Sequence, residues 1–451
     1  MKILVNRNTP ISSVAVGCLV LLVAPAVSSA EDATHASPIL TKWSATVYGF
    51  VELDSMYDTT QGLGDTIGNA ALPPAGTYAA THDQVTFTAR NSRIGLSLKA
   101  PDVGWLKLSA RLEGDFFANQ PAGISEAAFF SNPGFRIRHA YVQAQTPYLD
   151  VLIGQSWQVF GWLADFIPAT VNFQGLPGQL YGRSAQIRLS KTVSLGPDLG
   201  MELAIAALRP PQRAGGLPDG QAGLKLFFPG RKAYRTAGAA VSSLDAMALG
   251  ISGVVRRFAI PKFEPDSKTD VTATGWGIAV DLLLPIIAAS TTHHDNALTF
   301  TGSFASGRGI SDLYTGLGGP PFPPLPNPQN RTPAPVYSAS IDPGLVGFDS
   351  SGVLHPVSWQ SCIVGLQYWL PGQTGLWIAG TYSHLHSSNV ATLSGGSRTS
   401  FVRSQNATAS LFWNATRYLR FGLEFDWLKQ DFIDSGPTVN KRIQFGTYYV
   451  F

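Results

Sequence analysis

The sequence predicts an all-β protein, a transmembrane antiparallel β-barrel of about 16 strands. The first observation behind this prediction is a repeated alternation of apolar and polar residues, in segments close to the ~10 residues that a tilted membrane strand requires. The second is the spacing of these segments, because short turns and long connections follow one another in turn. The third is composition, since 45% of the 451 residues are hydrophobic and only 14% are charged. Soluble domains have roughly 25% charged residues.

An export signal is predicted over residues 1–30, ahead of a periplasmic N-terminal segment at 31–44 and the barrel domain at 45–451. The signal has basic residues near its start, then an apolar run and a small-residue cleavage site. Lipid attachment at Cys18 is an alternative, but the apolar run continues past this cysteine. Beyond the signal, no segment has the ~18 unbroken apolar residues of a membrane helix. Strands are therefore the expected membrane-spanning elements.

The alternation begins in the first strand, where Val47, Val51 and Leu53 share one face and Glu52 and Asp54 share the other. Further strands are predicted near 93–99, 106–113, 135–144, 149–155, 183–190, 201–208, 220–227, 247–258, 275–284, 297–305, 359–370, 375–384, 406–413, 419–428 and 441–451. The long connections fall near 59–83, 117–134, 156–182, 308–358 and 386–400. The stretch 229–245 is too long for a tight turn, so the strand count could differ by about two.

The last strand shows the alternation most strictly. One of its faces is formed by Ile443, Phe445, Thr447, Tyr449 and Phe451. Such a strand turns its apolar face either to a soluble core or to lipid, and the many similar strands favour lipid.

Aromatic residues near the predicted strand ends are expected to form the girdles that mark the two membrane interfaces. They are Trp369, Trp377, Trp413, Trp427, Tyr448 and Tyr449. The alternative is a soluble β-sandwich with these rings in its core.

Charged residues of the strands are assigned to the faces opposite the apolar ones, because a charge on the lipid face costs about 2–4 kcal/mol at the membrane midplane. The basic residues assigned to the interior are Arg90, Arg93, Lys107, Arg111, Arg136, Arg138 and Arg188. Arg90 and Arg93 share that face only if a bulge separates them. The acids assigned to the interior are Glu52, Asp54, Glu113, Asp115, Glu424 and Asp426. Arginines in a narrow pore attract anions, and the planar guanidinium suits carboxylates. The alternative is that these arginines pair with Glu113 and Asp115 and only balance the charges of the barrel wall.

Catalysis, metal binding, a cofactor and nucleic-acid binding are not expected. Paired carboxylates such as Glu52 and Asp54 could be imagined as a glycosidase pair, but such pairs are common on pore walls. The candidate metal ligands are histidine pairs without the Cys, Asp or Glu cluster that a metal site needs: His293, His294, His384 and His386. The net charge of +3 indicates no polyanionic partner.

Three parts of the sequence, taken together, resemble bacterial outer-membrane porins, and the DcaP-like trimeric porins most closely. They are ARNSRIGL at 89–96 with LEGDFF at 112–117, FRIRHAYVQ at 135–143 with LIGQSW at 152–157, and FIPATVNFQG at 166–175 with RSAQIR at 183–188. Weaker similarity continues over nearly the whole mature chain. The sequence departs from some family members in having no heptad-patterned helix before the first strand. A homotrimer is therefore implied by the family alone.

The porin resemblance implies contact with outer-membrane lipid and passive diffusion of small hydrophilic solutes. It also implies that the connection 158–182 folds into the barrel and narrows it, with Asp165, Asn172 and Gln174 on this constriction. Asp165 would then oppose the arginines across the pore. Small anions, dicarboxylates in particular, are the solutes that the resemblance suggests.

For the last strand, the resemblance implies that Phe445, Tyr449 and Phe451 belong to a segment that the barrel-assembly machinery reads and that pairs with the first strand. The alternative from another functional class is an exported surface β-protein, an adhesin or binding module, without channel activity.

Overall fold

The computed structural model describes residues 43–451 apart from 66–70, 119–133, 172–175, 211–215, 238–240, 263–267, 291–294, 315–343, 350, 352 and 394–399. The predicted export signal, with Cys18, and residues 31–42 of the predicted periplasmic segment lie outside this part of the chain. So do His293 and His294.

Almost all regular structure in the described chain is β. The strands are β1 (Ser44–Asp58), β2 (Gln84–Thr88), β3 (Arg93–Lys99), β4 (Lys107–Asp115), β5 (Arg136–Gln145), β6 (Asp150–Trp157), β7 (Arg183–Ser194), β8 (Gly200–Leu208), β9 (Asp219–Ala237), β10 (Val241–Pro261), β11 (Asp270–Ile287), β12 (Leu298–Arg308), β13 (Val346–Phe348), β14 (Leu354–Pro356), β15 (Ser358–Trp369), β16 (Leu376–Ser387), β17 (Phe401–Asn414), β18 (Leu419–Phe432) and β19 (Gly436–Val450). Single helical turns lie in the connections: α1 (Leu163–Phe166), α2 (Val390–Leu393) and the 3-10 turns Tyr78–Ala80 and Ser311–Leu313. Within the described ranges no helix is long and apolar enough to cross a membrane, a finding that bears on helices alone.

The strands form one closed antiparallel barrel, with β13 and β14 as a separate ribbon. The sheet closes because β19 pairs with β1, from Phe50 opposite Val450 to Asp58 opposite Arg442. β2 and β3 pair with different parts of β1, so they are two halves of one interrupted wall strand. Counted in this way, the barrel has 16 strands. The predicted fold class is confirmed.

The interruption between β2 and β3 changes which residues face outward. Val85 and Phe87 are exposed in β2, at odd positions, whereas Ile94 is exposed in β3, at an even position, a change that a continuous strand cannot make. Ser92 ties the interruption to β1, since its hydroxyl accepts from the Glu52 N–H at 3.0 Å and donates to the Glu52 carbonyl at 3.3 Å. The break that Arg90 and Arg93 need in order to share a face is therefore present.

The outer surface of the barrel is apolar along the strands. On β19 the exposed residues include Ile443, Phe445 and Tyr449, while the residues between them are buried or half-buried. At the seam, Gly49 and Phe451 exchange two backbone hydrogen bonds of 3.0 Å. A continuous apolar surface of this extent is typical of contact with lipid.

The aromatic girdle is only partly as predicted. Trp413 and Tyr449 are exposed on the outer surface, whereas Trp369, Trp377 and Tyr448 are fully buried on the inner face. Trp369 and Trp377 stack inside the barrel with ring centres 5.3 Å apart. For these three residues the interfacial prediction is wrong, because position near a strand end does not determine the face.

The stretch 229–245 is also not a simple connection. Apart from 238–240, it continues β9 and β10 as a paired hairpin, with a shift in register between Ala246 and Met247. The hairpin leaves the number of wall strands at 16 and adds a paired segment that continues past the register shift.

Candidate functional site

The connection between β6 and β7, residues 158–182, enters the barrel. Its first residues bond to the wall further along, where the amides of Val159 and Phe160 both donate to Oε1 of Gln221 in β9 at 3.0 Å. Next, the N–H of Gly161 donates to the Ser252 hydroxyl in β10 at 2.8 Å. Most of its described residues are buried.

The middle of this connection rests on the far wall. The N–H of Val171 donates to Oε2 of Glu424 in β18 at 2.8 Å, and the hydroxyl of Tyr448 in β19 donates to the Val171 carbonyl at 2.8 Å. In the order of strands around the barrel, β18 and β19 are far from β6 and β7 in either direction. A segment that starts at β6 reaches them only across the interior. The inward-folded constriction is thus confirmed.

Glycines in the wall make room for the connection. A side chain at Gly446 would place its Cβ 2.8 Å from Cγ1 of Val171, and one at Gly365 would place its Cβ 2.8 Å from Cβ of Pro168. Both distances are well below the roughly 3.5–4.0 Å at which carbon atoms pack. The connection therefore lies directly against the wall backbone at these points.

Charged side chains gather where β4, β5 and β7 meet the long connections and where β3 begins. We call this group the arginine cluster, and it contains Arg93, Arg136, Arg138, Arg183, Glu113 and Asp115. The buried Arg138 donates from Nε to Glu113 at 2.8 Å and from Nη1 to Asp115 at 3.0 Å. Arg136 binds both oxygens of Asp115, at 2.9 and 2.7 Å. Arg93 Nε lies 3.7 Å from Glu113 Oε1.

Within the arginine cluster, four guanidiniums face two carboxylates, which leaves an excess of positive charge. The predicted pairing of arginines with Glu113 and Asp115 is therefore observed, but the two acids do not neutralise the cluster. Among the described residues, Nη1 of Arg183 is buried and has no hydrogen-bond acceptor. A buried donor in this state favours an acceptor from solution.

Arg183 is held mainly by aromatic rings. Its Cζ lies 4.6 Å from the ring centre of Trp157 and 5.5 Å from that of Tyr181. Burial alone would raise the pKa of the Tyr181 hydroxyl, but the charges of Arg138, Arg183 and Arg93 outweigh burial and hold this pKa below its usual value. The lowered pKa reports a locally positive potential.

Arg183, Trp157 and Tyr181 are absent from the sequence-predicted site. Alternation counted back from the outward Ile187 assigns Arg183 to the outer face. At the start of β7 the chain has just left the inward connection, and there the simple period of two does not hold. Trp157 and Tyr181, the aromatic residues at the two ends of the inward connection, were the sequence signal that could have identified Arg183.

The remaining predicted basic residues lie outside the arginine cluster. Arg90 pairs with Asp65 of the long connection after β1, since its Nη1 lies 2.9 Å from Oδ2 of this acid. Lys107 and Arg111 are exposed on β4, toward the short turns, and Arg188 is half-buried in β7.

On the inward connection, Asp165 pairs with Lys225 of β9. Their Nζ and Oδ2 atoms are 2.6 Å apart, and the same Nζ lies 2.9 Å from Oε2 of Glu202 in β8. Lys225 also lies 5.0 Å from the ring centre of Trp162. The cation that Asp165 contacts is thus Lys225 and not the arginine cluster. Lys225 largely neutralises the charge of Asp165, which was predicted to oppose the arginines across the pore. Asn172 and Gln174 lie outside the described residues.

Sequence reasoning overlooked Lys225 and Glu202, although a signal was present. Lys225 stands between Leu224 and Leu226, and Glu202 alternates with the exposed Leu203. The alternation rule used for the first strands would have assigned both charges to the interior.

A second charged group is closed off from solvent. We call it the acid group: Glu52, Asp54, Glu424 and Asp426, with exposed fractions of 0, 0, 3 and 1%. Glu52 accepts from Nδ2 of Asn91 at 2.6 Å, and Asp54 accepts from Nε2 of Gln444 at 3.1 Å. Glu424 accepts from the Ser410 hydroxyl at 2.6 Å and also holds Val171. Through Glu424, the acid group therefore supports the inward connection.

Burial shows which part of the interior remains open. On β15 and β19 nearly every second residue is buried along the whole strand, and on β11 this holds from Gly275 to Pro285. On β4, β5 and β7 the inward positions include half-buried and exposed residues. We call the inner faces of β3–β7 the open side and those of β11, β12, β15–β19 and β1 the filled side. The arginine cluster, Lys107, Arg111 and Arg188 all lie on the open side.

Known proteins share this architecture. The Gram-negative porin family matches residues 15–198 of the sequence. The fold is similar to that of the outer membrane channel DcaP of Acinetobacter baumannii, with a TM-score of 0.63 and 19% identity over 91% of this chain and 98% of that chain. It is also similar to Salmonella typhi OmpF in complex with daunomycin, with a TM-score of 0.50 and 11% identity over 91% of this chain and 99% of that chain. No curated protein matches the sequence. The porin resemblance of the sequence is confirmed at the level of the fold.

Proposed function

We propose that this chain, which has the barrel fold of DcaP-like outer-membrane porins, passes small hydrophilic solutes by diffusion and favours anions. Small dicarboxylates are the proposed preferred class. The observation that carries the proposal is the arginine cluster, in which four guanidiniums are set against two carboxylates.

Position supports this selectivity as much as the number of charges. The acids that could balance the arginines, those of the acid group, are buried beneath the inward connection. In contrast, Arg136 keeps 28% of its side chain exposed, and Lys107 and Arg111 are exposed on the same side. A solute on the open side therefore passes mainly basic groups, which raises the local concentration of anions.

Carboxylates suit the arginine cluster better than spherical anions do. A guanidinium presents parallel N–H donors that match the two oxygens of a carboxylate, whereas a lysine ammonium acts as a point charge. Arg136 and Asp115 show this two-bond geometry inside the protein. A dicarboxylate could bind Arg183 with one end while the other end meets Arg111 or Arg188 further along the open side.

The test is the reversal potential of the purified protein in a planar bilayer under a salt gradient. We expect current steps and a potential that reports higher permeability for chloride than for potassium, with succinate reducing the chloride current more than neutral glycerol does. A potential that favours potassium would contradict the anion preference and leave the channel intact. No current from correctly folded protein would favour the exported surface β-protein instead.

We also infer a homotrimer in the outer membrane, processed by removal of residues 1–30 and assembled through the last strand. The outward Phe445, Tyr449 and Phe451 and the pairing of β19 with β1 support a role for this strand in assembly. Cross-linking in outer-membrane fractions should give a species of three chains. A species of one chain only would contradict the trimer.

A further inference from the structure

The β9–β10 hairpin continues beyond the wall to which it belongs. β8 pairs with β9 as far as Phe227, and β11 pairs with β10 as far as Ala248. β9 and β10 nevertheless stay paired with each other from Lys232 opposite Ala246 to Ala237 opposite Val241. The register shift at Met247 marks where the pair leaves the wall and turns. We call residues 232–236 and 242–246 the hairpin tip.

The hairpin tip contacts successive inner faces around the barrel. The Thr299 hydroxyl of β12 donates to the Tyr234 carbonyl at 3.0 Å, and the Thr236 N–H donates to Oε1 of Gln367 in β15 at 3.1 Å. Both wall residues are buried on the inner face.

The hairpin tip also contacts β18, which lies further along the order of strands around the barrel. Nη2 of Arg420 donates to the Ser242 hydroxyl at 3.1 Å, and Ser242 and Thr236 share a hydrogen bond of 2.7 Å. Between β10 and β18 lie β11, β12, β15, β16 and β17. The tip therefore extends across the interior, as the 158–182 connection does.

The hairpin tip lies at the end of the barrel that has the short turns. Tyr234 packs edge-on against Trp369, the last residue of β15, with ring centres 4.8 Å apart. Arg420 is the second residue of β18. The arginine cluster lies at the other end, where β5 and β7 begin after long connections. One apolar cluster joins the two inserted segments, since Tyr234, Trp369, Ala169 and Val171 all belong to it.

We propose that the hairpin tip is a second constriction of the pore, at the short-turn end, fixed by Thr299, Gln367 and Arg420. A solute that has passed the arginine cluster must then pass a second narrow point before it leaves the barrel. The hairpin tip would limit solute size, while the arginine cluster sets the preferred charge. The inference rests on the proposed channel function.

Thiol labelling tests this constriction with a matched pair of positions on β10. Leu244 of the hairpin tip is 36% exposed, and Leu249 on the outer face of the same strand is 37% exposed. Each is changed to cysteine in a Cys362→Ser background, because the native thiol is exposed. We expect a bulky methanethiosulfonate reagent to lower the unit current of Leu244→Cys by about half, as an obstacle in a narrow pore does, and to leave Leu249→Cys unchanged. An unchanged current in labelled Leu244→Cys would overturn the proposal.

A second variant replaces residues 231–245 with Asn-Gly, so that the hairpin ends at the wall. We expect a higher unit conductance and entry of larger polyethylene glycols, with the sign of the reversal potential unchanged. Heat-modifiable migration on unboiled gels identifies folded barrels. A folded variant with unaltered conductance and size limit would contradict a second constriction. Absence of current in the unaltered protein would instead contradict the channel function itself.

Discussion

On the open side, the arginine cluster has an excess of positive charge, and its Arg136 keeps 28% of its side chain exposed. On the filled side, the acid group lies beneath the inward connection with almost no exposure. Both groups are inward-facing charges on membrane strands, and both follow the same alternation in the sequence. The difference arises because inserted segments lie against the filled side, among them 158–182, the hairpin tip and part of the connection after β1. Inward-facing residues of a barrel are thus divided between a pore and a packed core, and only the pore residues act on solutes.

The largest expected effect comes from detaching the inward connection from the filled side. In Val171→Asp, a carboxylate would sit beside Glu424 in an apolar cluster, at a cost of several kcal/mol. We expect the connection to leave the far wall, the acid group to become exposed, and both unit conductance and cation permeability to rise. Single-channel recording in a salt gradient measures both.

Val171→Ala is the control for this change, since it keeps the main-chain hydrogen bonds to Glu424 and Tyr448. Its conductance and reversal potential should match those of the unaltered protein. If Val171→Asp folds and also conducts normally, the connection does not depend on this anchor.

A second expected effect concerns selectivity alone. Arg136→Ser with Arg138→Ser removes two positive charges from the open side. At about 10 Å and an effective dielectric constant near 20, each charge contributes roughly 1–2 kcal/mol to the energy of an ion. The anion-to-cation permeability ratio should therefore fall about tenfold or more, as measured by the reversal potential.

The matched control for the arginine pair adds Glu113→Gln and Asp115→Asn, which restores the net charge and avoids two buried, unpaired carboxylates. Its permeability ratio should lie near that of the unaltered protein. An unchanged reversal potential in the two-residue variant would separate the arginine cluster from selectivity.

The smallest effect is expected on the filled side. Glu424→Gln with Asp426→Asn removes two carboxyl groups that are buried and remote from the open side. We expect the permeability ratio to change by less than about twofold, which corresponds to under ~0.4 kcal/mol. A large shift toward anions would show that solutes also pass the acid group.

The sequence predicts the wall strands of this barrel better than the segments that pack inside it. Alternation identified the membrane strands and the inward charges of β4 and β5, because lipid penalises a charge on the wrong face. It could not place Trp369 or Tyr448 in a core inside the barrel, because their burial depends on segments inserted from elsewhere in the chain. The hairpin tip was overlooked for the same reason, since its contacts with Gln367 and Arg420 are remote in sequence.

The pairing of Val171 with Tyr448 has a consequence for the order of assembly. Tyr448 belongs to β19, the strand that also joins β1 at the seam. Until this strand is in place, the inward connection has only part of its support on the far wall. Closure of the ring and completion of the constriction thus both require β19, and an intermediate that lacks this strand would have neither a closed barrel wall nor a fully supported constriction.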